Sequence, residues 1–157
     1  HGLVVPPRTP AEWHGYLERA ATEDGPWPRW LCRLVRAADT GTLVGAVNLN
    51  DIAWGGLRSG SLGYYAFAPH AGRGYLRAAL HAFLGETFGR HVLLHRVEAL
   101  VRPENPRSRA LVERLGFRCE GVSRRVLFLD GTWHDHERWA LLADEWRAGQ
   151  GGGPSTG

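Results

Sequence analysis

The sequence predicts one α/β domain in which hairpins flank a strand–helix–strand core. Three observations carry this. The chain has 157 residues, 43% of them hydrophobic, enough for a single core. Between residues 62 and 102 the apolar spacing changes from strand-like to helical and back. Asp130-Gly131 stands between two strand-like runs, a strong two-residue hairpin connection.

Taken in order, Thr9 and Pro10 have the chemistry of an N-cap and first helical residue, opening a helix through about Ala21. A Pro/Trp-rich connection follows. Residues 30–37 and 43–49 read as strands, with Asp39-Thr40-Gly41 as the turn between them. The glycine-rich stretch 50–61 reads as a loop, and 62–68 as a strand closed by Pro69. Leu76, Leu80, Phe83, Leu84 and Phe88 recur at helical spacing and predict a helix over 74–89. Val97, Ala99 and Val101 alternate on one face of a strand over 95–102. Asn105-Pro106 opens a short helix that ends at Gly116, and 122–129 with 132–142 form the last hairpin. The glycine-rich end, 149–157, has nothing to bury and reads as a disordered tail, leaving residues 1–148 as the domain.

Charge and composition narrow the function. All nineteen basic residues are arginine, scattered from Arg8 to Arg147, and the formal net charge is +3. A scattered charge of this kind is a solvated surface and argues against nucleic acid, while remaining compatible with an anionic, nucleotide-derived cofactor. No apolar run approaches the ~20 residues that span a bilayer, and no signal-peptide pattern is present, so a soluble cytoplasmic protein is expected. Cys32 and Cys119 match no metal or redox spacing and are expected to be small buried residues.

The strand at 62–68, the helix at 74–89 and the strand at 95–102 form one crossover unit, which should make the two strands parallel. Ligands of open α/β sheets bind beyond the carboxyl ends of parallel strands, just after residues 68 and 102. At the first place stands His70-Ala71-Gly72-Arg73-Gly74-Tyr75. Its glycines allow close backbone approach, and the helix start adds unpaired N–H groups that suit a pyrophosphate, with Arg73 as a charge-assisted contact. The same glycines also suit a plain strand-to-helix turn. At the second place, Asn105 is a good N-cap, and Ser108 shares a helical face with Leu111, Val112 and Leu115, so its hydroxyl points inward. An inward hydroxyl needs a partner, either a backbone carbonyl or a ligand atom.

Leu62-Gly63-Tyr64, Gly72-Arg73-Gly74-Tyr75, Asn105 to Ser108, Leu115-Gly116-Phe117 and Glu120-Gly121, in this order and spacing, resemble the GNAT acetyltransferase superfamily. His95-Arg96-Val97, and the ending Leu129-Asp130-Gly131-Thr132-Trp133-His134-Asp135-His136, resemble its RimJ/RimL branch of ribosomal-protein-alanine N-acetyltransferases. The resemblance runs from about Gly41 to Trp146. It implies a mixed, mostly antiparallel sheet with splayed parallel central strands and flanking helices. It implies acetyl-CoA as cosubstrate, with no metal, and an amine acceptor: a protein N-terminus or, alternatively, a small molecule such as a polyamine or antibiotic. A monomer or homodimer is expected. A non-catalytic acetyl-CoA sensor is the reading from another class.

By the same resemblance, Gly72, Arg73, Gly74, Tyr75 and Leu76 hold the pyrophosphate. Phe67 and Ala68 pair with the pantetheine arm, Asn105 bonds to it, and Ser108 protonates the leaving thiolate. Pro69 stands where the wider signature has Gln or Arg. A glutamate base of RimL-type members falls at about Leu127, which is no base. The family's first strand and first helix are expected to be missing from this chain. Candidate bases are Glu120, Asp135 and His134. His134-Asp135-His136 alternates along a strand, so Asp135 faces away from both histidines and the three do not converge on a metal. The loop at 50–61 and the hairpin around Asp130-Gly131 are expected to frame the acceptor, with Asp51 recognising a positive amine and Trp54 either supplying contact area or, equally, plugging the core.

Overall fold

The structure is a computed structural model that describes residues 9–21, 27–89 and 94–151. Its elements are α1 (Pro10–Ala21), β1 (Leu31–Arg36), β2 (Leu43–Ala53), β3 (Ser59–Ala66), α2 (Tyr75–Phe88), β4 (Arg96–Val101), α3 (Pro106–Arg114), β5 (Arg118–Leu129), β6 (Thr132–Leu142) and α4 (Ala143–Gln150). The strands form a six-stranded sheet in the order β1-β2-β3-β4-β6-β5. Every neighbouring pair is antiparallel except β3–β4, which is parallel as the crossover predicts.

The β3–β4 pairing is short. It comprises Ser59–Arg96, Gly60–Val97 and Ser61–Glu98, after which the two strands part toward their carboxyl ends. This is the splayed centre expected from the resemblance.

Each face of the sheet has its own apolar cluster. On one face Val47, Leu49, Leu62, Val97, Ala99 and Val101 pack against Leu80, Phe83, Leu84 and Phe88 of α2 and Val112 of α3. Leu80 is fully buried, and truncating such a leucine to alanine costs ~2–5 kcal/mol. On the opposite face Cys32 and Ala46 lie under Tyr16 of α1 and Trp30. Thr9 and Glu12 close the start of α1 reciprocally, each backbone N–H bonding to the other's side chain at 3.2 Å, as the N-cap reading requires.

Four expectations are corrected. The stretch 50–61 is mostly strand, with only residues 54–58 between β2 and β3. The strand persists because Ile52 is buried and donates to the Arg29 carbonyl at 3.0 Å, while Gly60 lies flush beneath Leu49, Ile52 and Leu94. β5 begins at Arg118 rather than at 122, through the pairs Arg118–Ala140 and Cys119–Trp139. Cys119 is exposed, because β5 is an edge strand, whereas Cys32 is buried beside the Tyr16 hydroxyl at 3.1 Å. Residues 149 and 150 belong to α4, whose Trp146 packs on His81 at 4.8 Å and Phe88 at 6.3 Å between ring centroids. Residues 152–157 of the expected tail, and those before Thr9, lie outside the described residues.

Candidate active site

The parting of β3 and β4 is flanked by two helix starts, and both have the local chemistry of a ligand site. Gly72 and Gly74 adopt left-handed φ angles of +80° and +81°, which side-chain-bearing residues rarely take. Nothing lies within 4 Å of where their Cβ atoms would stand, so the glycines serve backbone conformation and open space rather than packing. Gly74 caps α2 without a side-chain hydrogen bond, leaving the first-turn N–H groups uncapped by any side chain. These features fit a pyrophosphate. Arg73 is exposed beside them, Tyr75 is half-buried with its ring 6.5 Å from that of His70, and Leu76 packs into the core.

Phe67 is already engaged. Its N–H donates to Val44 at 2.9 Å, its carbonyl accepts from His70 at 2.7 Å, and its ring meets Trp13 edge-on at 5.0 Å. Strand alternation therefore turns Tyr64 and Ala66 the other way, their backbone polar groups toward the β4 side, past the last β3–β4 pair at Ser61. Ala68 follows, exposed at the strand exit.

At the second helix start, Asn105 Oδ1 accepts from the Ser108 backbone N–H at 3.1 Å, so the carbonyl end of this side chain caps α3. Ser108 is half-buried on the inward face, above the buried Val112 and Leu115. Its hydroxyl faces the phenol of Tyr64, on β3, near enough to lower that phenol's pKa. The partner of the inward hydroxyl is thus a side chain across the parting. Burial raises the Tyr64 pKa above the usual tyrosine value, and the Ser108 contact offsets that only in part, so the phenol stays protonated.

The candidate bases are tied into the sheet. Glu120 is bonded by both terminal nitrogens of Arg96, which holds its carboxyl below the usual range. Arg96 also bonds Glu98 at 2.8 Å, and Glu98 accepts from Arg138 at 2.9 Å. Burial alone would raise the Glu98 pKa, but the two arginines outweigh it. Asp135 is exposed and accepts from the Arg125 backbone N–H at 2.7 Å, fixing a bulge where Arg125 has a φ of +47°. His134 Nε2 pairs with the Leu129 carbonyl at 3.1 Å, and buried His136 pairs through Nδ1 with the His134 carbonyl at 3.3 Å. Trp54 is a plug: its Nε1 donates to the Pro28 carbonyl at 2.9 Å and its ring packs edge-on against Trp27. Asp51 lies exposed at the β2 bulge with a φ of +48°.

Sequence reasoning gave Tyr64 no role, and it missed the Arg96–Glu98–Arg138 lattice. The period-2 pattern does place Arg96 and Glu98 on one face, opposite Val97 and Ala99, but their partners come from β5 and β6, and pairing between distant strands is not visible in one sequence.

A parallel strand pair that parts between two helix starts, one carrying left-handed glycines and the other an inward serine, defines a GNAT domain. The chain belongs to that family: residues 2–118 match the acetyltransferase (GNAT) domain. It is 33% identical over 112 residues to the ribosomal protein uS5 alanine N-acetyltransferase of Escherichia coli, covering 71% of this chain and 57% of the relative. Among solved structures, Mycobacterium smegmatis RimJ in complex with CoA-disulfide superposes with a TM-score of 0.75 at 32% identity, over 89% of this chain and 69% of that one. A spermidine N-acetyltransferase SpeG chimera from Vibrio cholerae has the same fold, with a TM-score of 0.75 at 24% identity over 91% of this chain and 85% of that one. The chain spans 55–57% of the length of the curated relatives it matches first. Among the described residues no helix is long and apolar enough to cross a membrane.

Proposed function

We propose that this domain transfers the acetyl group of acetyl-CoA to a protein N-terminal α-amine by direct attack on the thioester. The observation that carries the reading is the parting of β3 and β4 between the Gly72–Gly74 turn and Ser108. In this reading the uncapped amides at the start of α2, with Arg73, take the pyrophosphate. The outward-turned backbone of Tyr64 and Ala66, with Ala68 beyond, pairs with the pantetheine arm, and Asn105 contributes its amide nitrogen. The E. coli relative and the RimJ structure, each more than 30% identical, support the cosubstrate and the acceptor class.

The amine nitrogen bonds to the acetyl carbon and the carbon–sulfur bond breaks, its electron pair leaving on sulfur. A backbone N–H of β3 turned toward the parting stabilises the developing oxyanion, and Ser108 gives a proton to the thiolate, regained from solvent. The amine loses its proton to water. An α-amine with a pKa of about 7.7–8.0 is neutral for roughly a tenth of the time at pH 7, against well under a thousandth for a lysine at about 10.4. Glu120 and Asp135 have structural partners, and a site without a strong base suits the α-amine.

The test is acetyl-CoA-dependent thiol release with a peptide beginning in alanine, set against spermidine and an Nα-blocked lysine peptide. Faster turnover of the free N-terminus is expected. Preference for spermidine would move the acceptor to small polyamines, and saturable acetyl-CoA binding without turnover on any amine would make the domain a sensor.

A further inference from the structure

Five buried polar atoms on the α1 face of the sheet have no hydrogen-bond partner among the described residues: both amide atoms of Asn48 and of Asn50, and Nε1 of Trp30. Asn48 is 0% exposed, Asn50 3% and Trp30 5%. Leaving a buried polar group unsatisfied destabilises a fold, so a cluster of them calls for a reason beyond folding.

Register brings the three side chains together. Asn48 lies between Cys32 of β1 and Gly63 of β3, and Asn50 lies opposite Ser61. Trp30, two residues before Cys32, falls beside Asn50 on the same face. The Asn48 carboxamide reaches over Gly63: a Cβ on that glycine would stand 2.9 Å from Nδ2 and 3.1 Å from Oδ1. Gly63 is the second residue past Ser61, the last β3 residue paired with β4. The amide therefore stands beside the parting, on the face opposite Tyr64 and Ser108.

The charge of this face is neutralised. Glu98, beside Ser61, is held by Arg96 and Arg138, and Glu120 by Arg96. A polycation finds its anionic partners already taken, whereas a carboxamide offers one donor end and one acceptor end, the complement of a peptide group.

We propose that Asn48, backed by Asn50 and Trp30, is an acceptor-binding residue: once the acceptor displaces the side chains that cover it, its carboxamide pairs with the first peptide group of a chain N-terminus, the amide next to the α-amine. This deepens the acetyltransferase reading and rests on it for the identity of the amine. The test is binding, so that it can fail separately from catalysis. The CoA-loaded protein is titrated by calorimetry with an alanine-initiated pentapeptide, and with the same peptide N-methylated at its first amide.

Asn48→Leu, of similar shape, is expected to melt at the same or a higher temperature because it removes a buried unsatisfied group, to bind CoA as before, and to lose at least ~10-fold in affinity for the pentapeptide. N-methylation should weaken binding to the wild-type protein similarly and have little further effect on the variant. Should Asn48→Leu fail to fold, the wild-type comparison of the two peptides decides. Equal binding of both, unchanged binding by the variant, or no peptide binding by the wild-type protein overturns the proposal. Asn48-dependent peptide binding without thiol release leaves the site standing and removes the catalytic reading instead.

Discussion

The hydroxyl of Ser108 on α3 faces that of Tyr64 on β3, so the helix that follows β4 reaches back over the neighbouring strand above the parting. The Ser108 contact lowers the Tyr64 pKa, the effect of a serine O–H directed at the phenol oxygen, while burial keeps the phenol protonated; as Ser108 turns its proton to a leaving sulfur, the phenol O–H can donate to Ser108 Oγ in its place. Ser108→Ala should therefore lower kcat with little change in acetyl-CoA affinity, and Tyr64→Phe should lower kcat by a smaller factor, about tenfold. The double variant should be no worse than Ser108→Ala alone. The diagnostic readout is a thioester whose leaving thiol is more acidic, with which both losses should shrink. Additive losses would show that the pair does not act as a unit.

Gly72, at a φ of +80°, strains under any side chain, so a single substitution there confounds backbone and charge. Gly72→Gln and Gly72→Glu share the strain and differ in charge. Calorimetry with acetyl-CoA should find the Glu variant at least about tenfold weaker than the Gln variant at low salt, a gap that narrows as salt screens it. Equal affinities would place the pyrophosphate elsewhere.

Arg96 joins β4 to β5 through Glu120 while also bonding Glu98 on its own strand. Arg96→Met should destabilise the domain by ~1–2 kcal/mol at pH 7, most of it from the half-buried Glu98 since Glu120 is solvent-screened, seen as a lower urea midpoint at unchanged m. The Glu98 pKa is depressed in the folded state, so its stabilisation is present above the unfolded value near 4.5 and is lost as pH falls through the folded value. In the variant this acid-side loss should be smaller.

His136 is buried, and burial first of all holds its pKa below the usual histidine value of 6.5. The unfolded chain then binds more protons than the folded one as pH falls below about 6.5, so stability present above that value declines toward the folded pKa. The melting temperature should drop between pH 7.5 and 5.5, and the drop should be smaller for His136→Gln. An identical drop in both proteins would assign the acid sensitivity to another group.

Much of the site was legible because chain-local chemistry writes it. Thr9-Pro10, Gly72-x-Gly74, Asn105-Pro106 and the Asp130-Gly131 turn each announce their geometry within a few residues, and the helical face of Ser108 follows from periodicity alone. What sequence reasoning missed depends on partners brought together by the sheet. Tyr64 becomes relevant only because α3 folds back over β3. Glu120 loses base strength only because Arg96, 24 residues away, sits beside it. The misread stretch at 50–61 looked like loop for its glycines, yet Gly60 sits within β3, flush against Leu49, Ile52 and Leu94. α4 was hidden by the glycines that follow Trp146, although Asp144 and Glu145 at its first turn, with Glu145 bonding the Leu142 N–H, were an available signal.

Three residue pairs between β3 and β4 make the sheet two three-stranded leaves with a short common seam. α2 rides on the β1–β3 leaf and α3 on the other, while Trp146 of α4 reaches across to Phe88. A ligand whose polar groups pair with the facing edges lengthens that seam and acts as a seventh strand. If acetyl-CoA is that ligand, binding and folding become one equilibrium: the melting temperature should rise with acetyl-CoA concentration as the logarithm of occupancy requires, and the backbone amides of Tyr64 and Ala66 should change from fast to slow hydrogen exchange as the leaves are joined.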